Sequence, residues 1–287
     1  MKITEILSQE KPVLSFEVFP PKKESAYETV EQAAVEIARL SPSFMSVTYG
    51  AGGGTSQYTA DLAACLAKKY GVTSMAHLTC VSSTREHVRG VVERLRENGI
   101  ENILALRGDL PSDGHVEKDY SHASDLAAEL AAMEDFCIGG ACYPEGHPES
   151  KNKAEDIRYL KEKVEAGCDF VTTQMFFDNT ILYNYMFRLL RAGINVPVVP
   201  GIMPVTNAKQ IIRICQLSGT KLPPQFRAMV EKFADKPEAL KQAGIAYATG
   251  QIIDLIANGF DNVHIYTMNK PEIFAGIMDN LGEIVDK

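Results

Sequence analysis

Short apolar runs rich in β-branched residues alternate along the chain with longer segments in which apolar residues recur at helical spacing. This alternation predicts repeated strand–helix units around a parallel sheet. Eight runs have the length and composition of strands, at residues 13–19, 44–50, 74–80, 102–108, 136–143, 170–177, 196–202 and 262–268.

The predicted helices begin and end at residues typical of helix termini. Thr84 is a predicted N-cap of a helix that ends at Gly99, and two later helices end at Gly167 and Gly193. No linker-like stretch interrupts the chain, which favours one catalytic domain over residues 1–287. The predicted fold class is α/β, a single (β/α)8 TIM barrel, with an open doubly wound sheet as the alternative.

Two segments depart from the regular alternation of strands and helices. Residues 109–121 form a polar loop after the fourth predicted strand, and residues 223–259 are long enough for two extra helices before the last strand. Insertions in barrels often build binding sites, so both segments bear on function.

Composition and charge narrow the class of protein. A net charge of −8 makes nucleic acid an unfavourable partner. The six cysteines contain no C-x-x-C pair, which disfavours a thiolate metal site and indicates a reducing compartment. The N-terminus lacks a signal peptide's apolar core, and no stretch is long enough for a membrane span. We therefore expect a soluble, cytoplasmic protein with no membrane partner.

Polar residues end six consecutive predicted strands. In a barrel the C-terminal ends of the strands meet at one rim, where active sites lie. The polar residues predicted at this rim are Glu17, Thr48, Tyr49, His77, Arg107, Asp109, Tyr143, His147 and Gln174.

Glu17 is the leading catalytic candidate of this set. It lies between Phe16 and Phe19, and loss of hydration beside aromatic side chains raises the pKa of a carboxyl group and suits it to donate a proton. The alternative is a buried ion pair with Arg107.

Other rim features also admit two interpretations each. His77 is either a site residue or a hydrogen-bonded core histidine, and Asp109 either contacts a ligand or occupies an ordinary turn. The glycine-rich run at residues 49–59 lacks a dinucleotide fingerprint and a Walker lysine, so it is a flexible loop or a flap over substrate. Residues 175–177 are core or an aromatic platform for a planar ring.

Eight segments, taken in order, resemble the bacterial methylenetetrahydrofolate reductase family. They are SFEVFPPK, VTYGAGGG, AHLTC, ALRGDLP, YPEGHPE, TTQMFFD, PGIMPV and YTMNK. The resemblance covers nearly the whole chain and implies a flavin-containing (β/α)8 barrel, in agreement with the fold predicted from the pattern.

The resemblance also implies a ping-pong reaction. NADH or NADPH reduces bound FAD, and the reduced flavin passes hydride to 5,10-methylenetetrahydrofolate, which becomes 5-methyltetrahydrofolate. Glu17 matches the family's general acid, which protonates folate N10 during ring opening. Asp109 matches an aspartate near both flavin and folate, so the implied catalytic residues are Glu17 and Asp109.

Two sets of binding residues follow from the resemblance. The substrate set is Glu17, Asp109, Gln174, Gln210 and Lys270. The cofactor set is Thr48, Tyr49, His77, Arg107, Gly108, Asp109, Ala123, Tyr143, His147, Asp156 and Lys163.

Four positions depart from the family pattern. Lys270 stands where arginine is common and could hold the folate glutamate tail without a bidentate fork. Tyr159 and Glu162 replace residues that contact the dinucleotide, and Ile214 replaces an aromatic residue over the substrates. These changes bear on dinucleotide affinity and donor preference.

Three alternatives remain at this level. The chain is a flavin-independent relative, or a folate-binding catalytic subunit that receives electrons from a redox partner. A different enzyme class, a metal-dependent barrel hydrolase, would use His77, His147 and Asp109 as ligands, although no H-x-H or H-E-x-x-H cluster is present. Homo-oligomer formation is compatible with each of them.

Overall fold

The computed structural model of the protein describes residues 1–21, 23–49, 56–81, 83–110 and 119–285. Its strands form one sheet in the order β7-β6-β5-β4-β3-β2-β1-β9-β8, and every strand pair is parallel. The strands are Val13–Val18 (β1), Phe44–Val47 (β2), Ser74–Thr79 (β3), Asn102–Leu106 (β4), Cys137–Cys142 (β5), Phe170–Thr173 (β6), Val198–Val199 (β7), Gly201–Ile202 (β8) and Asn262–Tyr266 (β9).

The sheet closes at Pro200, which divides the seventh predicted strand into β7 and β8. A proline has no N–H to donate to a strand ladder, so pairing is interrupted there. β7 pairs with β6, β8 pairs with β9, and the Pro200 carbonyl accepts a hydrogen bond from the His264 amide (2.8 Å). The two short strands therefore occupy one barrel position between β6 and β9. This confirms the predicted barrel and contradicts the open doubly wound sheet.

Helices follow the strands at the predicted places. The helix after β3 is capped by Thr84, whose hydroxyl accepts from the His87 amide, and Gly193 ends a later helix in the left-handed region (φ 72°). The helices are Ile3–Leu7 (α1), Tyr27–Ala38 (α2), Ser56–Tyr70 (α3), Arg85–Glu97 (α4), Ala123–Ala131 (α5), Lys153–Glu165 (α6), Asn179–Ala192 (α7), Ala208–Ser218 (α8), Pro224–Lys232 (α9), Pro237–Ala257 (α10) and Pro271–Leu281 (α11).

The helices α9 and α10 confirm the predicted insertion before the last strand. They help to bury the aromatic run after β6, where Phe177 stacks on Phe226 and Phe226 stacks on Tyr247. Met175, Phe176 and Phe177 are at most 1% exposed. These three side chains are therefore core, and the prediction of an aromatic platform for a ligand was wrong.

The short helix α1, which the sequence pattern did not predict, closes the N-terminal end of the barrel. Its residues Ile3, Ile6 and Leu7 pack against inward-facing apolar residues at the starts of the strands. The Ile3 amide donates to the Asn102 side-chain oxygen (2.8 Å), which anchors α1 to β4. Ligands therefore approach from the opposite end, where the predicted site residues lie.

Two sequence-level predictions fall outside the described part of the chain. They concern residues 50–55 of the glycine-rich run and residues 111–118 of the polar loop after β4. Within the described part, none of the helices combines the length and the apolar character that a membrane crossing requires.

Candidate active site

Glu17 lies near the C-terminal end of β1 and faces the barrel interior. Its strand neighbours are Ser46 on β2 and Tyr266 on β9. His77 is an ionisable neighbour, with its Nε2 3.6 Å from the Glu17 carboxyl. Burial raises the pKa of Glu17 to about 8, so the carboxyl keeps its proton at neutral pH.

The raised pKa was predicted, and its cause is the predicted loss of hydration, but Phe16 does not contribute to it. Successive residues of a strand face opposite sides of the sheet, and Phe16 points outward onto Phe274 of α11 (ring centroids 3.6 Å apart). Burial in the barrel interior, and not contact with Phe16, removes water from the Glu17 carboxyl. The alternative ion pair with Arg107 is absent, because Arg107 pairs with Glu149 instead.

His77 is buried on β3 and neutral. Burial lowers its pKa to about 3, and its Nε2 has no hydrogen-bond partner. Buried polar atoms are usually paired, so this unpaired nitrogen at the rim is unusual. The structure therefore does not support a satisfied core histidine at this position.

Further polar groups, which the sequence analysis did not identify, lie inside the barrel. His264 on β9 is 2.8 Å from the Ser15 hydroxyl and 3.2 Å from the Ser46 hydroxyl. The Tyr266 hydroxyl donates to the Thr173 carbonyl (2.5 Å). The signal for both was present, since alternate residues of the eighth predicted strand face inward and these two are polar.

Arg107, Gly108 and Asp109 form the turn after β4. Arg107 donates to both carboxylate oxygens of Glu149 (2.6 and 2.8 Å) and through Nε to the Gly108 carbonyl (3.2 Å). Gly108 has φ +89°, and a Cβ there would lie 3.0 Å from the Thr79 Cβ. The turn thus requires glycine, and it leaves Asp109 exposed at the start of the polar loop.

A cavity of about 260 Å³ opens between the ends of β4 and β5 and the helices α5 and α6. Six predicted cofactor residues line it, namely Arg107, Ala123, Tyr143, His147, Asp156 and Lys163. His122, Glu149, Tyr159 and Glu162 line it as well. The cofactor residues implied by the resemblance therefore come from four separate elements that meet around one cavity.

The polar side chains of this cavity are held by hydrogen bonds. Asp156 accepts from the His147 amide (3.2 Å) and the Ser150 hydroxyl (3.4 Å), and Lys163 donates to the Ala141 carbonyl (2.6 Å). The Glu149 amide donates to Nδ1 of His147 (3.2 Å), and burial lowers the pKa of His147. His147 is thus a neutral imidazole whose Nδ1 is an acceptor.

Part of this lining fits a flavin dinucleotide. Arg107 and Lys163 could bind a pyrophosphate, and aromatic side chains supply surfaces for planar rings. Glu149, Asp156 and Glu162 line the same cavity, and Glu149 pairs with Arg107. The unpaired Nε2 of His77 and the close backbone approach at Gly108 lie at the adjoining rim.

The remaining cofactor candidates, Thr48 and Tyr49, follow β2. Both are buried, and the Tyr49 hydroxyl lies 3.2 Å from Nε2 of His87 on α4. The structure thus places Tyr49 against the helix layer, while the cavity lies at β4 and β5.

The predicted substrate residues occupy another part of the rim. Gln210 near the start of α8 lines a small cleft with Thr206 and Ile214, and Lys270 donates to the Thr206 hydroxyl (2.9 Å). Gln174 directly follows β6 and accepts from the Met175 amide through its own side chain (3.0 Å). Gln210 and Lys270 therefore converge on one loop, and Gln174 lies at the end of β6.

The proposed metal ligands do not form a cluster. Among the described residues there is no group of three or more His, Cys, Asp or Glu side chains that could hold a metal ion. His77, His147 and Asp109 are all described, so the metal-dependent hydrolase has no support in their arrangement.

Sequence comparisons identify relatives over nearly the whole chain. The family model described as "Methylenetetrahydrofolate reductase" matches residues 2–282. Methylenetetrahydrofolate reductase (NADH) 1 of Arabidopsis thaliana is 36% identical over 298 aligned positions, which cover 99% of this chain and 50% of that protein. The 5,10-methylenetetrahydrofolate reductase of Pectobacterium carotovorum subsp. carotovorum is 36% identical over 269 positions, covering 94% and 90%. The chain spans about half the length of the plant relatives it matches.

A structural comparison agrees on the fold. An uncharacterized protein from Clostridium thermocellum, described as binding two copies of 5-methyl-5,6,7,8-tetrahydrofolic acid, superposes with a TM-score of 0.65. The match covers 99% of this chain and 100% of that one at 14% identity, which supports the barrel architecture alone.

Proposed function

The chain belongs to the methylenetetrahydrofolate reductase family, and from this premise we propose that it reduces 5,10-methylenetetrahydrofolate to 5-methyltetrahydrofolate. NADH or NADPH would supply the hydride, and FAD would be the bound cofactor. When bound, FAD would accept hydride from the nicotinamide and pass it to the one-carbon unit of the folate.

Glu17 carries this proposal, because it is a protonated carboxyl at the rim of the barrel. Its pKa of about 8 leaves a proton available for folate N10 at neutral pH. Protonation makes N10 a better leaving group, so the five-membered ring opens and leaves an electrophilic carbon at N5. The position of Glu17 supports the role, since β1 adjoins β9, and Lys270 and Thr206 lie beyond the ends of β9 and β8.

Asp109 would orient the pterin and stabilise the positive charge that develops on the folate. Its exposed carboxylate can accept hydrogen bonds from the pterin, and a negative charge favours the cationic species formed at N5. Gln174 and Gln210 would contact the substrates, and the Lys270 ammonium would attract the glutamate tail of the folate.

The cofactor would occupy the cavity beside β4 and β5 together with the adjoining rim. Arg107 and Lys163 would bind the phosphates, with Tyr143, His147, Asp156 and Ala123 around them. Gly108, Asp109, Thr48 and His77 would border the rest of the cofactor from the neighbouring strand ends, whereas the Tyr49 side chain contacts His87 in the helix layer. The six cysteines are free thiols, which suits a reducing compartment such as the cytoplasm.

The proposed electron donor is a nicotinamide. The plant relatives carry NADH in their names, which supports a nicotinamide donor of that type. The competing proposal is a protein electron donor.

Reconstitution and anaerobic reduction test the function. Purified protein mixed with FAD is expected to acquire the visible flavin band, to lose it on addition of NADH or NADPH, and to regain it with methylenetetrahydrofolate. A protein that binds no flavin contradicts the proposal. Turnover with reduced artificial donors, but with neither nicotinamide, would favour the partner-driven subunit.

A further inference from the structure

The backbone pairing between β1 and β9 ends at Glu17, and two side chains continue it beyond that point. Glu17 pairs in register with Tyr266, the last residue of β9. The Thr267 hydroxyl then donates to the Glu17 carbonyl (2.6 Å). The Asn269 side chain accepts from the Phe19 amide (2.7 Å) and donates to the Phe19 carbonyl (2.9 Å). The segment after β9 therefore holds the main chain at Glu17 and at Phe19.

A tight turn presents Asn269 to the end of β1. The Lys270 amide donates to the Thr267 carbonyl (3.1 Å), and the residues between them, Met268 and Asn269, have φ of 54° and 55°. Positive φ at both central residues is typical of a type I′ turn, in which glycine, asparagine and aspartate predominate. A methionine persists in this conformation only where its surroundings hold it, and the hydrogen bonds of Asn269 to Phe19 do so.

Lys270 directly follows this turn and is fixed on its other side by α11. It is the N-cap residue of α11, and Phe274 of that helix packs on Phe16 of β1 (ring centroids 3.6 Å apart). Phe16 immediately precedes Glu17 in the chain. Two sets of contacts thus connect Glu17 with Lys270, one through Asn269 at the rim and the other through Phe274 in the helix layer.

The proposed reaction requires these two groups at a constant separation. Glu17 would protonate N10 in the middle of the folate, and the Lys270 ammonium would hold the glutamate tail of the same molecule. A displacement of about 1 Å at a reacting group can slow a reaction roughly 10²-fold. Strand ends open locally more readily than strand centres, so hydrogen bonds beyond the last backbone pair limit such displacements.

We propose that Asn269 is a positioning residue, which keeps the Glu17 carboxyl and the Lys270 ammonium at the separation that one folate molecule needs. The inference rests on the proposed function, because both groups are assigned to the folate there. Asn269 would act through the main chain at Phe19 and through the turn before Lys270, without touching the substrate. Asparagine suits the position because it tolerates positive φ and carries a donor and an acceptor on one side chain.

Asn269→Gly tests the positioning role, because it removes both hydrogen bonds and leaves the positive φ unstrained. Stopped-flow absorbance should show oxidation of the reduced flavin by methylenetetrahydrofolate slowed by roughly 10- to 100-fold, with reduction by the nicotinamide at the wild-type rate. Equal slowing of both half-reactions, the effect of general structural damage, would overturn the positioning role. Wild-type rates in both would overturn it too.

Two further variants accompany this measurement. Asn269→Asp keeps the acceptor for the Phe19 amide, so it should recover part of the rate. Its slowing should again be confined to the folate half-reaction, which preserves the test if Asn269→Gly does not fold. Asn280→Ala is the matched control, since it removes one side-chain hydrogen bond, to the Gly276 carbonyl (2.7 Å), from an exposed position on α11.

A double-mutant comparison tests whether Asn269 acts through Lys270. In the otherwise wild-type protein, Lys270→Ala is expected to raise the KM for the folate roughly tenfold. In Asn269→Gly the same change should raise it by roughly threefold or less, because the ammonium there is no longer held relative to Glu17. A tenfold increase in both backgrounds would show that the two residues act independently, and would overturn the inference.

Hydrogen exchange separates the inference from the proposed function. In the full chain without folate, the Phe19 amide should exchange roughly 2- to 10-fold faster in Asn269→Gly than in the wild type, the effect of one lost hydrogen bond. Unchanged exchange would overturn the inference, whatever the protein does with folate. Wild-type protein whose reduced flavin is not oxidised by methylenetetrahydrofolate would refute the proposed function instead, and with it the substrate assigned to Glu17 and Lys270.

Discussion

The proton on Glu17 follows from what surrounds its carboxyl. The ionisable group 3.6 Å away is His77, and burial lowers the pKa of that imidazole to about 3, so it carries no positive charge at neutral pH. A buried carboxylate without a cationic partner is costly, and the group remains protonated instead. Glu17 is thus a neutral acid because the barrel interior buries its carboxyl and provides no cationic partner.

This raised pKa has a consequence for stability. Between its ordinary value of 4.5 and the folded value of about 8, the folded protein holds a proton on Glu17 that the unfolded chain releases. The free energy of unfolding therefore falls as pH rises through this range, by up to roughly 1.4 kcal/mol per pH unit. We expect Glu17→Gln to remove this fall. Urea denaturation of both proteins from pH 5 to 8 measures it, and parallel pH profiles would contradict the assignment.

Lys270 offers a test on the substrate side. Lys270→Ala should raise the KM for the folate roughly tenfold, the effect of losing one hydrogen bond to a charged group, while flavin reduction by the nicotinamide is unchanged. Lys270→Arg should restore the KM, and Lys209→Ala on the exposed face of α8 is the control. Steady-state kinetics decide the matter, and an unchanged KM in Lys270→Ala would exclude a contact with the folate tail.

At the residue scale, the sequence predicts which side chains lie at the rim, because that location depends only on their position in the strand. A polar residue at a strand end of a barrel lies at the rim, and this placed Glu17, His77 and Arg107 correctly. The sequence does not predict which side chains form ion pairs with each other. Arg107 pairs with Glu149, because the loop after β5 brings that carboxylate within 2.6 Å, and loop conformation does not follow from periodicity.

At the element scale, the eight-unit repeat was readable because each strand is a short β-branched run and each helix has a definite end. The break at Pro200 was visible as a proline inside the seventh run, although only the three-dimensional pairing shows that both halves belong to one barrel position. Helix α1 was missed because five residues carry too little periodicity to identify a helix.

Helix α10 supports a prediction with an internal control. A Cβ at Gly244 would overlap the Val205 carbonyl, whereas Gly250 on the same helix is exposed and has open space around the same position. Gly244→Ala should destabilise the protein by roughly 1–3 kcal/mol or more. It should also raise the KM for the folate, because Val205 precedes Thr206, the partner of Lys270.

Gly250→Ala should instead stabilise the protein by about 0.5–1 kcal/mol, since alanine restricts the unfolded chain and favours helix. Urea denaturation of the two variants measures the contrast. Equal effects on stability would contradict the close approach of α10 to the loop at Val205.

On the scale of the whole molecule, the proposed sites lie at the C-terminal end of the barrel, and the cofactor and substrate sites lie at different strands. Helix α1 closes the N-terminal end, neutral His264 lies inside the barrel at the level of Ser15, and neutral His77 lies beside Glu17. The proposed cofactor cavity adjoins β4 and β5, and the proposed substrate residues Gln210 and Lys270 lie near β8 and β9. Because β1 pairs with β9, the acid belongs to the substrate side.

The most direct test of this account measures the two half-reactions of Glu17→Gln separately by stopped-flow absorbance of the flavin. Reduction by the nicotinamide should proceed at the wild-type rate. Oxidation by methylenetetrahydrofolate should slow by roughly 10²- to 10⁴-fold, the usual contribution of a proton donor. Equal slowing of both half-reactions, or wild-type rates in both, would contradict the role of Glu17 as the acid that opens the folate ring.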